Sequence, residues 1–195
     1  EEHAIAFASG IAKRGGKPVA SFLSSFIQRT YDQLSQDLSI NNNSATILIN
    51  TASVYGMNDV THLGLYDIPM ISNIPNMVYL APTSKEEYFA MLNWSIEQNE
   101  HPVAIRIPCN GVISDRRTID TNYSNLNKFK VEIKGENVAI IALGDFYQLG
   151  ENVIEELKNK IGLNATLINP QYITGIDSEL LKKLRENHSI VITLE

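Results

Sequence analysis

The chain has 195 residues, 44% hydrophobic and 19% charged, with a formal charge of −6 from 16 basic and 22 acidic side chains. No basic block is present, which excludes a general nucleic-acid binder, since phosphate contacts need clustered Lys and Arg. No apolar run approaches the ~18 residues of a membrane span, and a globular chain of this size buries about 70% of its unfolded surface. A negatively charged small ligand is still compatible with local positive groups.

Cys109 is the single cysteine, so no internal disulfide and no Cys/His zinc cluster is expected, and a reducing, cytoplasmic setting follows. The chain opens on Glu1, Glu2 and His3 with no signal-peptide pattern and no initiator Met. It closes on an apolar run, 190–194, that reads as a strand. Both ends read as cuts within a larger parent protein.

Along the chain, strand and helix signals alternate. Residues 4–13 are rich in small residues and stop at Gly15-Gly16, predicting a helix. Short continuous apolar runs at 18–23, 45–50, 77–81 and 103–107 suit strands buried on both faces. Residues 27–40 place Ile27, Tyr31, Leu34 and Leu38 at helical spacing. The segment 83–98 opens with Thr83 and Glu86 three residues on, predicting a helix with Thr83 as its cap. A polar stretch, 110–137, breaks the rhythm and reads as a linker with one short strand at 129–133. Strands at 138–143, 165–169 and 189–194 then alternate with helices at 149–161 and 177–187. The whole is an α/β fold with right-handed βαβ crossovers and parallel sheets.

Open parallel sheets bind ligands beyond the carboxyl ends of their strands. The loops to watch are therefore 24–26, 51–67, 82–84 and 108–111. The loop 51–67 is long and carries Gly56, Asn58, Asp59, Thr61, His62 and Asp67, and loops of that length inside a compact domain are usually functional or disordered. Taken one at a time the residues have plain readings. His62 is a surface or hydrogen-bonded structural histidine. Glu1 is a carboxylate complementing a helix dipole. Phe26 is core, and Arg29, on the same helical face as Phe26, is half of a surface ion pair. No glycine-rich phosphate-binding template is matched, and Gly144-Asp145 lacks a metal-site continuation.

The order of the motifs says more. E-E-H-A-I-A-F-A-S-G-I-A at 1–12, G-K-P-V at 16–19 and S-S-F-I-Q-R-T-Y-D-Q at 24–33 come first. T-H-x-G-x-Y-D at 61–67, I-P-N-M-V at 74–78, A-P-T at 81–83 and V-A-I-R-I-P at 103–108 follow in order. Together they resemble the thiamine-diphosphate enzymes of the transketolase group, and within it the 1-deoxy-D-xylulose-5-phosphate synthases. The resemblance covers the whole chain. It implies a pyrimidine-binding domain at 1–113, a linker at 114–136, and part of a transketolase C-terminal domain at 137–195.

The resemblance also assigns roles. Glu1 matches the glutamate that hydrogen-bonds N1′ of the aminopyrimidine and favours its imino tautomer, which prepares the thiazolium C2 proton for removal. Phe26 matches the aromatic stacked on that ring, and Arg29 an arginine beside it. His62 matches the histidine that faces the substrate carbonyl. Asn58 falls where the family usually has an aspartate contacting substrate hydroxyls. The implied reaction is decarboxylation of a 2-oxo acid donor such as pyruvate and addition of the two-carbon unit to an aldehyde acceptor. Thiamine diphosphate is the cofactor, with Mg²⁺ held through a diphosphate-binding domain that is absent from this segment. A homodimer is expected, and the segment alone should not turn over.

Two phosphate-holding arginines of the synthases are replaced. Asn50-Thr51 stands for an Asp-Arg pair after the second strand, and Cys109-Asn110 for Arg-Gly after Pro108; Leu23 stands for a tyrosine. Neither Thr nor Cys reproduces a bidentate Arg–phosphate contact, and Arg106 lies within its strand. The resemblance implies glyceraldehyde 3-phosphate as the acceptor, and these replacements count against it. Alternatives are a transketolase proper, a 2-oxo-acid dehydrogenase beta subunit, or a non-catalytic scaffold or regulatory copy.

Overall fold

The computed structural model describes residues 1–54 and 60–195. A four-stranded all-parallel sheet has the order β1-β2-β4-β3, from β1 (Val19–Leu23), β2 (Thr46–Ala52), β3 (Val78–Leu80) and β4 (Val103–Pro108). Helix α1 (Glu2–Lys13) precedes β1, a short α2 (Asp67–Ser72) precedes β3, and α3 (Lys85–Glu97) joins β3 to β4. Both sheet faces are covered. Ile47 and Ile49 pack with Ile5, Leu34 and Leu38 on one side, while Val103 and Ile105 pack with Met91 and Trp94 on the other. Fully buried branched side chains of this kind stabilise by about 1.5–3 kcal/mol each, which explains why the strands read as unbroken apolar runs.

A second sheet has the order β5-β7-β6-β8, from β5 (Lys130–Ile133), β6 (Asn137–Ala142), β7 (Thr166–Asn169) and β8 (His188–Leu194). Helices α4 (Tyr147–Ile161) and α5 (Ser178–Asn187) pack on its opposite faces. Three strands are parallel, but β5 runs antiparallel to β7, a departure from the purely parallel expectation.

Two local expectations are corrected. Residues 27–40 are not one α-helix: a 3₁₀ turn (Ile27–Thr30) leads to a π-helix (Gln33–Ile40). The buried Thr30 hydroxyl donates to the Ile27 carbonyl at 2.7 Å, a local bond that competes with regular helix. The i→i+5 winding then turns Leu34, Leu38 and Ser39 together into the interior. The cap of α3 is Ser84, not Thr83: Ser84 Oγ accepts from the Glu87 amide at 3.2 Å. Thr83 instead donates its N–H and hydroxyl to Glu87 Oε2 at 2.7 and 2.8 Å. Glu86, the expected box partner, accepts from Ser114 Oγ and the Asp115 amide on the surface.

The two sheets are joined through β3. Residues 171–174 run antiparallel beside it: the Ala81 amide donates to Gln171 O at 2.9 Å, and the Ile173 amide to Tyr79 O at 2.8 Å. Extra pairing covers an edge that would otherwise present open backbone groups. Beside this seam Glu87, 1% exposed, takes Asn169 Nδ2 at 3.0 Å and Gln171 Nε2 at 3.2 Å on its second oxygen.

At the carboxyl ends of the first sheet a second carboxylate is buried. Asp67, fully buried, accepts from Ser24 Oγ at 2.9 Å, from the Tyr79 hydroxyl, and from Arg106 Nε at 2.8 Å. Arg106 also donates to the Gly64 carbonyl at 2.9 Å. Burial, and then the charge of Asp67, hold the Tyr79 phenol protonated far above its usual range, so it acts as a donor. Gly64 presses on β2 so closely that a Cβ there would lie 2.5 Å from the Thr51 carbonyl oxygen. That contact explains the glycine of T-H-x-G.

Asp67→Asn strands the Arg106 guanidinium and should cost about 3–5 kcal/mol, read as a lowered denaturation midpoint. Asp67→Asn with Arg106→Met should cost less than the two single changes added. Glu87→Ala leaves buried amide donors unmatched and should cost about 2–4 kcal/mol; a change under about 0.5 kcal/mol contradicts the seam.

Candidate functional site

The candidate residues Glu1, Phe26, Arg29 and His62 come together beyond the carboxyl end of β1. The chain leaves β1 in a tight turn, with the Phe26 amide donating to Leu23 O at 3.0 Å and the Ser24 amide to Asn50 O at 2.8 Å. This puts Phe26 at the sheet end and Arg29 on the following 3₁₀ turn. Arg29 lies over the Phe26 ring, its guanidinium carbon 5.0 Å from the centroid, a cation–π arrangement. Its Nη1 donates to Glu1 Oε2 at 3.2 Å. Glu1 stands at the N-cap position of α1 without making a side-chain capping bond, so its carboxylate is turned to the site and not to the helix end.

His62 comes from the far side of the loop. Its ring meets Phe26 edge-on, with centroids 5.3 Å apart and planes at 72°, a favourable T-shaped geometry. Its Nδ1 lies 2.8 Å from Thr61 Oγ1. Glu1, Arg29, Phe26 and His62 thus form one contiguous chain of contacts. The Glu1 side chain is 27% exposed and that of Arg29 58% exposed, so this end of the cluster reaches solvent. Asn58, Gly56 and Asp59 lie outside the described residues.

Asp67 ties the two halves of this cluster together. Ser24 is two residues from Phe26, and Gly64 is two residues from His62; both loops are anchored, directly or through Arg106, to the same carboxylate. Asp67 closes the T-H-x-G-x-Y-D run, and this is the signal by which its importance can be found. Arg106 falls inside the V-A-I-R-I-P run but reads there as an ordinary strand residue, and Tyr79 lies outside the quoted motifs.

The last residues of β2 and β4, and those that directly follow them, include no arginine. β2 carries one extra residue opposite β4, between Ile49 and Ala52, and Thr51 there has φ 55°, unusual for a β-branched residue. Asn50 Nδ2 donates to Ser21 Oγ at 2.7 Å, and the Cys109 amide donates to Ala52 O at 3.0 Å. Arg106, further back in β4, is 8% exposed and engaged with Asp67.

The donor set fits a thiamine-type aminopyrimidine: a carboxylate acceptor for a ring nitrogen, an aromatic face, and an imidazole for a substrate oxygen. Among the described residues no group of three His, Cys, Asp or Glu side chains could hold a metal ion. No helix among them is long and apolar enough to cross a membrane.

Comparison with known proteins identifies the family. Residues 1–111 match the family model of the transketolase pyrimidine binding domain, and residues 127–195 that of the transketolase C-terminal domain. A 1-deoxy-D-xylulose-5-phosphate synthase of Lachnoclostridium phytofermentans is 35% identical over all of this chain and 31% of its own length. One from Clostridium tetani is 37% identical, again over all of this chain and 31% of its own length. The chain therefore spans about a third of the length of these curated relatives. A solved structure of a split gene transketolase, described as an inactive beta4 tetramer, has the same fold, with TM-score 0.85 and 22% identity over 99% of this chain and 62% of that one. The chain belongs to the transketolase family, and it resembles the 1-deoxy-D-xylulose-5-phosphate synthases within it.

Proposed function

We propose that this chain is the pyrimidine-binding and C-terminal portion of a thiamine-diphosphate-dependent ketol transferase of the 1-deoxy-D-xylulose-5-phosphate synthase type. The observation that carries the reading is the single cluster of Glu1, Arg29, Phe26 and His62 at the strand ends. Mg²⁺ and the diphosphate are taken by a diphosphate-binding part, on the same polypeptide or on a partner chain. The structural relative is itself a tetramer, which supports an assembly of more than one chain, and a homodimer is the simplest form.

When bound, thiamine diphosphate supplies the carbon acid and the electron sink for two-carbon transfer. Glu1 presents a carboxylate oxygen to the pyrimidine N1′ and holds a proton there, a bond strengthened where water is excluded. Arg29 fixes the direction of that carboxylate, and Phe26 offers its ring to the pyrimidine. His62 donates to the oxygen of the reacting carbonyl, where negative charge develops. Asn58, in the same loop, is assigned to substrate hydroxyls.

The acceptor is proposed to be an aldehyde without a phosphate, taken after a 2-oxo acid donor such as pyruvate. Asn50, Thr51, Cys109 and Asn110 bring no positive charge to the strand ends. Each hydrogen bond to a charged group contributes about 1.5–3 kcal/mol, so two missing arginine contacts remove roughly two to four orders of magnitude of preference for a phosphorylated acceptor.

In the complete assembly with thiamine diphosphate and Mg²⁺, the C2 proton should exchange with deuterium far faster than in free cofactor. Glu1→Gln should slow that exchange by about 100-fold or more, while His62→Ala should leave it within about twofold and lower carboligation by about 100-fold. Exchange at the free-cofactor rate in the unaltered protein would instead favour a non-catalytic copy. On the acceptor side, kcat/KM for glyceraldehyde 3-phosphate and for glyceraldehyde should agree within about tenfold; a preference of about 1,000-fold for the phosphorylated aldehyde contradicts the assignment.

A further inference from the structure

The second sheet reaches into the loop that carries His62. Directly after β6 the chain turns through a short 3₁₀ segment (Gly144–Phe146). Gly144 adopts φ +54°, and a Cβ there would lie 3.4 Å from the Ala81 side chain, just past the end of β3. The close approach brings Asp145 to the end of β2, where its Oδ2 accepts from Ser53 Oγ at 2.6 Å. Ser53 is 2% exposed and has φ 73°, a left-handed backbone that costs free energy unless its surroundings hold it. Its amide donates to the Gly64 carbonyl at 3.0 Å, the same oxygen that receives Arg106. Asp145 also adds its charge to that of Asp67 at the Arg106 guanidinium.

We propose that Asp145 is a positioning residue: by holding Ser53 it sets the Ser53–Gly64 pair, and through Gly64 it sets where His62 stands against Phe26. The second sheet thereby contributes to the first sheet's site without touching substrate. This rests on the function proposed above for His62, and the coupling from Asp145 to the Ser53–Gly64 pair can be measured apart from that function.

The experiment compares Asp145→Ala, Ser53→Ala, the double change and Asp145→Asn in the complete assembly. Asp145→Ala and Ser53→Ala should each lower carboligation kcat by about tenfold, and the double change should lower it no further, as expected for two residues acting through one bond. Asp145→Asn, whose amide oxygen still accepts from Ser53, should recover most of the loss. C2–deuterium exchange, which depends on Glu1, should stay within about twofold throughout. Without any cofactor, amide hydrogen exchange at Ser53 should rise at least tenfold in Asp145→Ala and stay near the unaltered value in Asp145→Asn.

Multiplying rather than overlapping losses, or unaltered carboligation with normal C2 exchange, overturns the positioning role and leaves the proposed function standing. Absent C2 exchange in the unaltered protein overturns the proposed function instead. In that case the Ser53 amide still decides the coupling: unchanged exchange in Asp145→Ala refutes it, and a tenfold rise restored by Asp145→Asn supports it.

Discussion

A carboxylate removed from water must be matched by donors, and the site is arranged around how Asp67 meets that demand. Three side-chain donors converge on it, from β4, from β3 and from the turn after β1. Taking one charge out of this pair leaves the other buried and uncompensated, which is far more costly than never having built the pair. The result is specificity of arrangement: the Phe26 turn and the His62 loop cannot shift independently without disturbing Asp67. Phe26 and His62, carried by these two segments, meet in a T-shaped contact.

Glu87 plays the corresponding part at the seam between the sheets. It satisfies the turn before α3 with one oxygen and two amides from the second sheet's side with the other. With residues 171–174 paired along β3, the second sheet is fastened against the edge of the first. Asp67 anchors the His62 loop through Arg106, while Glu87 fastens the second sheet beside it.

Much of this was legible in the amino-acid order. The strands are continuous apolar runs because both sheet faces are covered, and Ile47, Ile49, Val103 and Ile105 announce this directly. Glu1, Phe26, Arg29 and His62 were identifiable as candidates only because several motifs occur in one order; each alone has an ordinary structural explanation. What stayed hidden depends on pairing across long stretches of chain. Nothing near Arg106 indicates that it meets Asp67, 39 residues away, or that Glu87 meets Gln171, 84 residues away. The π-helix was equally hidden, since Ile27, Leu34 and Leu38 satisfy an α-helical spacing while Ser39 is what the wider turn buries. The shift of the α3 cap from Thr83 to Ser84 turned on one residue, because both hydroxyls precede a glutamate at a permissible distance.

The arrangement joins an aromatic face, a carboxylate, an arginine and an imidazole in one cluster. We propose that this cluster receives an aminopyrimidine ring. Its most direct test is a crystal structure of the complete assembly with thiamine diphosphate bound. Glu1 is expected to be hydrogen-bonded to N1′, with the pyrimidine against Phe26 and the thiazolium side toward His62. A cofactor bound elsewhere, with Glu1 and Phe26 both left facing solvent, would contradict this placement.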